Sequence, residues 1–141
     1  MRNATAFTVV HVELCERPTP LRLPFRFGAA TVTAAPQAFV RVTLRFAGGG
    51  QSSGMAAELM VPKWFDKSPA LSNDDNFAQL RRSLRIAADA YASDAAPRTA
   101  FAHAAVHLAA IIGEGALCGI PPLAAAFGAA ELDKAIVDAL S

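Results

Sequence analysis

Charge is what this sequence has least of. Asp, Glu, Lys and Arg make up 18% of its 141 residues, against 53% hydrophobic, and the formal net charge is +1. Compact domains usually carry about 25% charged residues. The shortfall has two readings: apolar surface covered by something outside this chain, or alanines that inflate the hydrophobic count. No Lys/Arg run exceeds Arg81-Arg82, so the basic stripe that phosphate neutralisation needs is missing and no nucleic-acid partner is expected. Cysteine is scarce too. Cys15 and Cys118 lack metal-ligand spacing and are expected as buried thiols in a reducing cytoplasm. No uninterrupted apolar run approaches the roughly 18 residues of a membrane span. The N-terminal apolar stretch is too short for a signal peptide and is soon interrupted by His11 and Glu13.

What is present is organised around Gln37–Pro62. In Ala38–Phe46, Ala38, Val40, Val42, Leu44 and Phe46 alternate with Phe39, Arg41, Thr43 and Arg45, the pattern of a strand with one dry and one wetter face. The glycine- and serine-rich stretch Ala47–Gly54 favours open backbone and predicts a long, pliant hairpin tip before Met55–Val61 returns. Upstream, Phe7–Leu14 reads as a first strand with Thr8, Val10, Val12 and Leu14 on one face and Phe7, Val9, His11 and Glu13 on the other. Pro18 and Pro20 predict a loop over Glu16–Pro20. Leu21–Gly28, interrupted by Pro24, is expected as an extended loop or edge segment, and Thr31–Thr33 pairs briefly before the central strand. Downstream, Ser72 caps a helix whose stripe is Phe77, Leu80, Leu84, Ala88 and Tyr91. Pro97 opens a second helix with a Phe101, Ala104, Ala105, Leu108 and Ile112 stripe. Pro121-Pro122 introduces a third, broken near Gly128, whose last stretch buries Leu132, Ile136, Ala139 and Leu140. Strands first and helices after predict an α+β fold: a three-stranded antiparallel β-meander followed by an α-helical bundle.

No catalytic constellation emerges from the residues. His103 and His107 are four apart and Glu114 falls on the same side, a possible zinc set. The zincin phrase requires Glu directly after the first His, where Ala104 stands, so surface histidines are the expectation. Glu131 and Lys134 are expected to pair on an outer helix face. The triple glycine is no phosphate loop, since no Lys-Ser/Thr follows and a strand comes next.

The order of elements and four phrases resemble the N-terminal capping domain of the enolase superfamily, in particular the mandelate racemase and muconate-lactonizing group. The phrases are Leu21–Gly28, Phe39–Val42 with the glycine tip, the Ser72–Tyr91 helix and Ala129–Leu140. Where that family closes its hairpin with Gly-x-Gly-Glu, this chain has Gly54-Met55-Ala56-Ala57-Glu58, so the Glu falls one place late. The resemblance implies a single capping-type domain over 1–141, with the meander in 1–62 and the helical part in 63–141. It implies no catalytic residue, cofactor or metal site in this chain. The parent reaction would be magnesium-dependent proton abstraction α to a carboxylate, with magnesium held by a C-terminal (β/α) barrel. That barrel is the implied partner, and Arg22, Phe25, Phe27, Gln51, Ser52, Ser53 and Met55 are the implied substrate-lid residues. A stand-alone binding module, or a homo-oligomer joined through an apolar interface, is the alternative.

Overall fold

A computed structural model describes residues 4–141. Three antiparallel strands, β1 (Phe7–Phe27), β2 (Ala30–Phe46) and β3 (Gln51–Leu59), form a sheet in sequence order. Helices α1 (Asn73–Ser93), α2 (Ala100–Leu117) and α3 (Pro122–Leu140) follow. The expected α+β meander-then-helices arrangement is what forms. Ala38, Val40, Val42 and Leu44 are buried, and with Phe7, Val9, Leu80, Leu84, Tyr91, Leu132 and Ile136 they make one core between the sheet and the helices.

The strands run further than their prolines suggested. β1 continues through Glu16–Pro20 to Phe27, with Pro18 opposite Pro36 and Pro20 opposite Ala34. Both prolines are tolerated because β1 is an edge strand, whose outer N–H groups face no partner. β2 likewise begins at Ala30, not at the expected central stretch, and Thr31 and Thr33 belong to it. Only Gln37–Arg45 of β2 pair with β3 as well as β1, so the Pro18–Pro36 part of the hairpin overhangs as a two-stranded ribbon. The faces of β1 also differ from strict alternation. Val9 sits opposite Leu44 and His11 opposite Thr43, leaving Val10 as a bulge. One extra residue flips the side chains that follow, so Phe7 and Val9 share the core face with Val12 and Leu14.

Helix α1 begins as expected, with a capping box: Ser72 Oγ accepts from the Asp75 N–H (3.0 Å) and the Asp75 carboxylate accepts from the Ser72 N–H (2.8 Å). Helix α2 starts later than Pro97, at Ala100, capped by Thr99. Arg98 is held instead in a two-bond bridge to Phe7. Helix α3 is unbroken at Gly128, which is a contact point: a Cβ there would lie 2.1 Å from the Ser83 carbonyl oxygen of α1. Leu140 is 38% exposed, not buried.

Helix α2 presents the reverse of its expected face. His103, His107, Ile111 and Gly115 point inward, while Phe101 and Leu117 are each 84% exposed and Leu108 is exposed as well. Both sides of this helix are apolar, so periodicity cannot choose between them. The choice falls to partners: His103 Nε2 bonds the Phe7 carbonyl (2.9 Å) and its ring stacks on Phe7 and Tyr91. By length and composition α2 is also apolar enough to cross a membrane, a property the test of an uninterrupted apolar run passes over.

Candidate functional site

In a three-stranded meander the β1–β2 turn and the segment leaving β3 emerge at the same end of the sheet, and the β2–β3 turn at the other. The first end gathers side chains from two connections. Phe25 packs on Phe27 (ring centroids 5.5 Å apart), and Phe27 and Trp64 meet edge to face (5.6 Å). Trp64 and Phe25 are half-exposed and Leu23 is largely exposed. Beside them, a groove of ≈ 630 Å³ runs between the hairpin tip Phe27–Thr31 and Lys63, Lys67, Pro69 and Asn73. Gly28, at the first central position of the two-residue turn, has φ +53, the conformation a hairpin turn demands there.

The segment carrying Trp64 is pinned, not loose. Lys63, itself at φ +62, donates its N–H to Asn76 Oδ1 (3.0 Å) and its ammonium to the carbonyls of Ser68 (2.7 Å) and Leu71. Asp66 accepts from Gln79 Nε2 (2.9 Å) and the Ser68 N–H (3.0 Å), which hold its carboxyl below the ordinary value. Lys63 is therefore spent on structure. Lys67 is exposed and makes no ion pair among the described residues, so it is the cation available to a carboxylate in the groove.

The implied lid residues lie at two separate places in this topology. Arg22, Phe25 and Phe27 lie on the overhanging ribbon, with Arg22 exposed. Gln51, Ser52 and Ser53 do not lie on a flexible tip, because the turn is confined to Ala47–Gly50 and β3 begins at Gln51. Ser52 Oγ donates to the Ala139 carbonyl (2.7 Å), Ser53 Oγ lies 3.3 Å from Thr43 Oγ1, and the Met55 N–H donates to Asp138 Oδ2 (2.8 Å). Val32 and Thr43, the β2 partners of Phe25 and Ser53, are eleven residues apart, roughly 36 Å of strand. Trp64, Lys67 and Asn73 were missed. Meander parity was the signal that pairs the segment after the third strand with the first turn.

Other expectations shift as well. Cys15 is exposed and Cys118 half-buried, both free thiols. Glu58 pairs with Lys134 (3.0 Å), which also holds Glu131 (2.6 Å). Glu131 is buried, not on an outer face, and its Oε2 lacks a partner; burial pushes its carboxyl up. His103 and His107 are buried where surface histidines were expected, and their third neighbour is Asp94, not Glu114.

No family model and no curated protein matches the chain. A solved structure does: a mandelate racemase/muconate lactonizing protein from Herpetosiphon aurantiacus, 20% identical, with a TM-score of 0.50 over 94% of this chain and 30% of that one. The resemblance read from the sequence is thus borne out at the level of fold, and the chain spans less than a third of that protein's length.

Proposed function

We propose that this chain is a substrate-capping, specificity-setting domain that works beside a (β/α) barrel and is not catalytic by itself. The observation that carries the proposal is the gathering of Phe25, Phe27 and Trp64, from two separate connections, into a half-exposed cluster beside a groove with a free Lys67. Apolar rings exclude water and an ammonium orients a carboxylate, which is what a cap contributes to a reaction run elsewhere. On this reading the parent enzyme abstracts a proton α to a carboxylate, and the barrel holds the magnesium. Arg22 and the ribbon tip close over the substrate. The free thiols fit a cytoplasmic setting.

The test is made on protein carrying both parts, encoded by the native reading frame. Trp64→Ala is expected to change the ratio of kcat/KM between two carboxylate substrates of different side-chain size, and chelation of magnesium to abolish turnover. An equal loss on both substrates, or a reading frame with no barrel, overturns the reading.

A second reading, an interaction module whose occupant is another copy of the chain, is favoured by the outer face of α2, where Phe101, Val106, Leu108 and Leu117 are exposed. Phe101→Glu is then expected to turn a dimer into a monomer in sedimentation. A wild-type monomer sinks this reading.

A further inference from the structure

Three side chains from two elements converge where α1 ends and α2 begins. Asp94 is the C-terminal cap of α1, and His103 and His107 lie one turn apart on the buried face of α2. His103 Nδ1 is 3.4 Å from His107 Nε2, and His107 Nε2 is 3.1 Å from Asp94 Oδ2. One ligand atom from each of the three lies within 4.8 Å of the other two. Four-coordinate zinc, with bonds of about 2.0 Å, places its ligand atoms about 3.3 Å apart.

The hydrogen bonds fix which atoms carry lone pairs. The Phe7 carbonyl can only accept, so His103 Nε2, 2.9 Å away, carries a proton. In the neutral ring, Nδ1 is then bare and faces His107. Asp94 Oδ2 is an acceptor as well. The point between the three side chains is therefore filled by a single proton, the one on His107 Nε2. Moving that proton to Nδ1 of the same ring leaves three lone pairs aimed at one point. A histidine ligand whose other ring N–H bonds a backbone carbonyl is the usual outer support of a metal site, and Phe7 supplies it here. Asp94 is braced too: Arg98 Nε donates to Oδ2 (2.7 Å) and the Ala96 N–H to Oδ1 (3.0 Å).

We propose that Asp94 Oδ2, His103 Nδ1 and His107 Nε2 form a binding site for a borderline divalent cation, zinc foremost, that clamps the α1–α2 connection to the buried face of α2. The donor set, two imidazoles and a carboxylate, suits zinc and disfavours magnesium and calcium, which prefer all-oxygen shells. The site is independent of the capping proposal, because none of its residues lines the groove beside Trp64.

The experiment is a cobalt(II) and zinc(II) titration of metal-free Cys15→Ser protein, which removes the exposed thiol. Equimolar, saturable binding is expected, with the intense visible bands of four-coordinate cobalt and a rise in Tm on adding zinc. Asp94→Asn and His107→Gln should each weaken binding at least about ten-fold, and His11→Ala, altering the exposed histidine of β1, should leave it unchanged. Circular dichroism establishes that each variant is folded. Should His107→Gln fail to fold, Asp94→Asn, at a more accessible position, decides alone. Absence of saturable binding, a six-coordinate cobalt spectrum, or equal affinity in Asp94→Asn overturns the site.

Discussion

The two ends of the sheet are built on opposite principles. At the β2–β3 end, α3 lies so close that a Cβ on Gly54 would sit 2.2 Å from the Ala139 nitrogen and 2.3 Å from the Ala135 carbonyl. Ser52 and Met55 bond the same helix. At the β1–β2 end, the ribbon outruns β3 and carries Leu23, Phe25 and Trp64 into the open. One end has no room for a methyl group. The other has room for a ligand. Backbone contact makes the first end stability-critical, and exposed rings on a pinned frame make the second tolerant of substitution, and on the capping proposal sensitive in function.

The largest expected effect breaks the tight end. Gly54→Ala and Gly128→Ala each push a methyl group into backbone atoms that cannot rotate away. Each should cost about 3 kcal/mol or more in urea unfolding, although Gly128→Ala improves helix propensity. Gly113 on α2 is the internal control. A Cβ there meets nothing within 4 Å, so Gly113→Ala should stabilise by about 0.5–1 kcal/mol. A common sign for Gly113 and Gly128 would refute the close-approach account.

Next comes the polar layer under α2. Tyr91 is fully buried, and its hydroxyl donates to Asp133 Oδ1 (2.5 Å). Tyr91→Phe leaves a half-buried carboxylate short of a donor and should cost about 1–2 kcal/mol near neutral pH. Burial raises the Asp133 carboxyl above its ordinary 3.8, while the Tyr91 hydrogen bond lowers it. A raised acid stabilises the fold most below its unfolded value, and that contribution fades as pH climbs through the folded value. Losing the hydroxyl raises the folded value further, so the Tyr91→Phe penalty should grow with pH and be smallest in acid.

A smaller effect concerns His107, whose imidazole is held below its ordinary 6.5 chiefly by burial, with Asp94 opposing. The folded state refuses a proton that the unfolded state accepts. Its contribution is therefore complete above about pH 6.5 and is lost as pH falls from there through the depressed folded value. In metal-free protein, His107→Gln should flatten that slope. An unchanged slope would assign it to another group.

Much of this was legible in the residues. The alternation of Ala38–Leu44 and the Ser72 cap are local signals and survive folding intact. What failed is what local pattern cannot encode. Pro18 and Pro20 stop a strand only where their missing donors would be needed, and at an edge they are not. The Val10 bulge is invisible until β1 is set against β2. Helix α2 offered apolar residues on every side, and the choice of face rested on a carbonyl of Phe7, 96 residues away from His103. Gln51–Ser53 look like loop by composition, yet Thr43, Leu44 and Arg45 pair with them as strand.

The open end gives the smallest stability effect and the sharpest functional one. Trp64 meets Phe27 edge to face and stays about half-exposed, while Lys63, Asn76, Asp66 and Gln79 hold the segment from below. Trp64→Ala should therefore move unfolding by no more than about 0.5–1 kcal/mol. Trp64 lines an apolar recess with Phe25, Val61 and Phe65 next to that groove. Removing its indole widens this recess, so on the capping proposal a bulkier carboxylate should gain on a smaller one in kcat/KM by roughly ten-fold, the usual worth of a few apolar contacts in a pocket. Lys67→Gln should instead raise KM for both substrates alike, because it removes a charge that does not distinguish their side chains. If Trp64→Ala unfolds the protein as severely as Gly54→Ala, the rings belong to the core and the contrast between the two ends collapses.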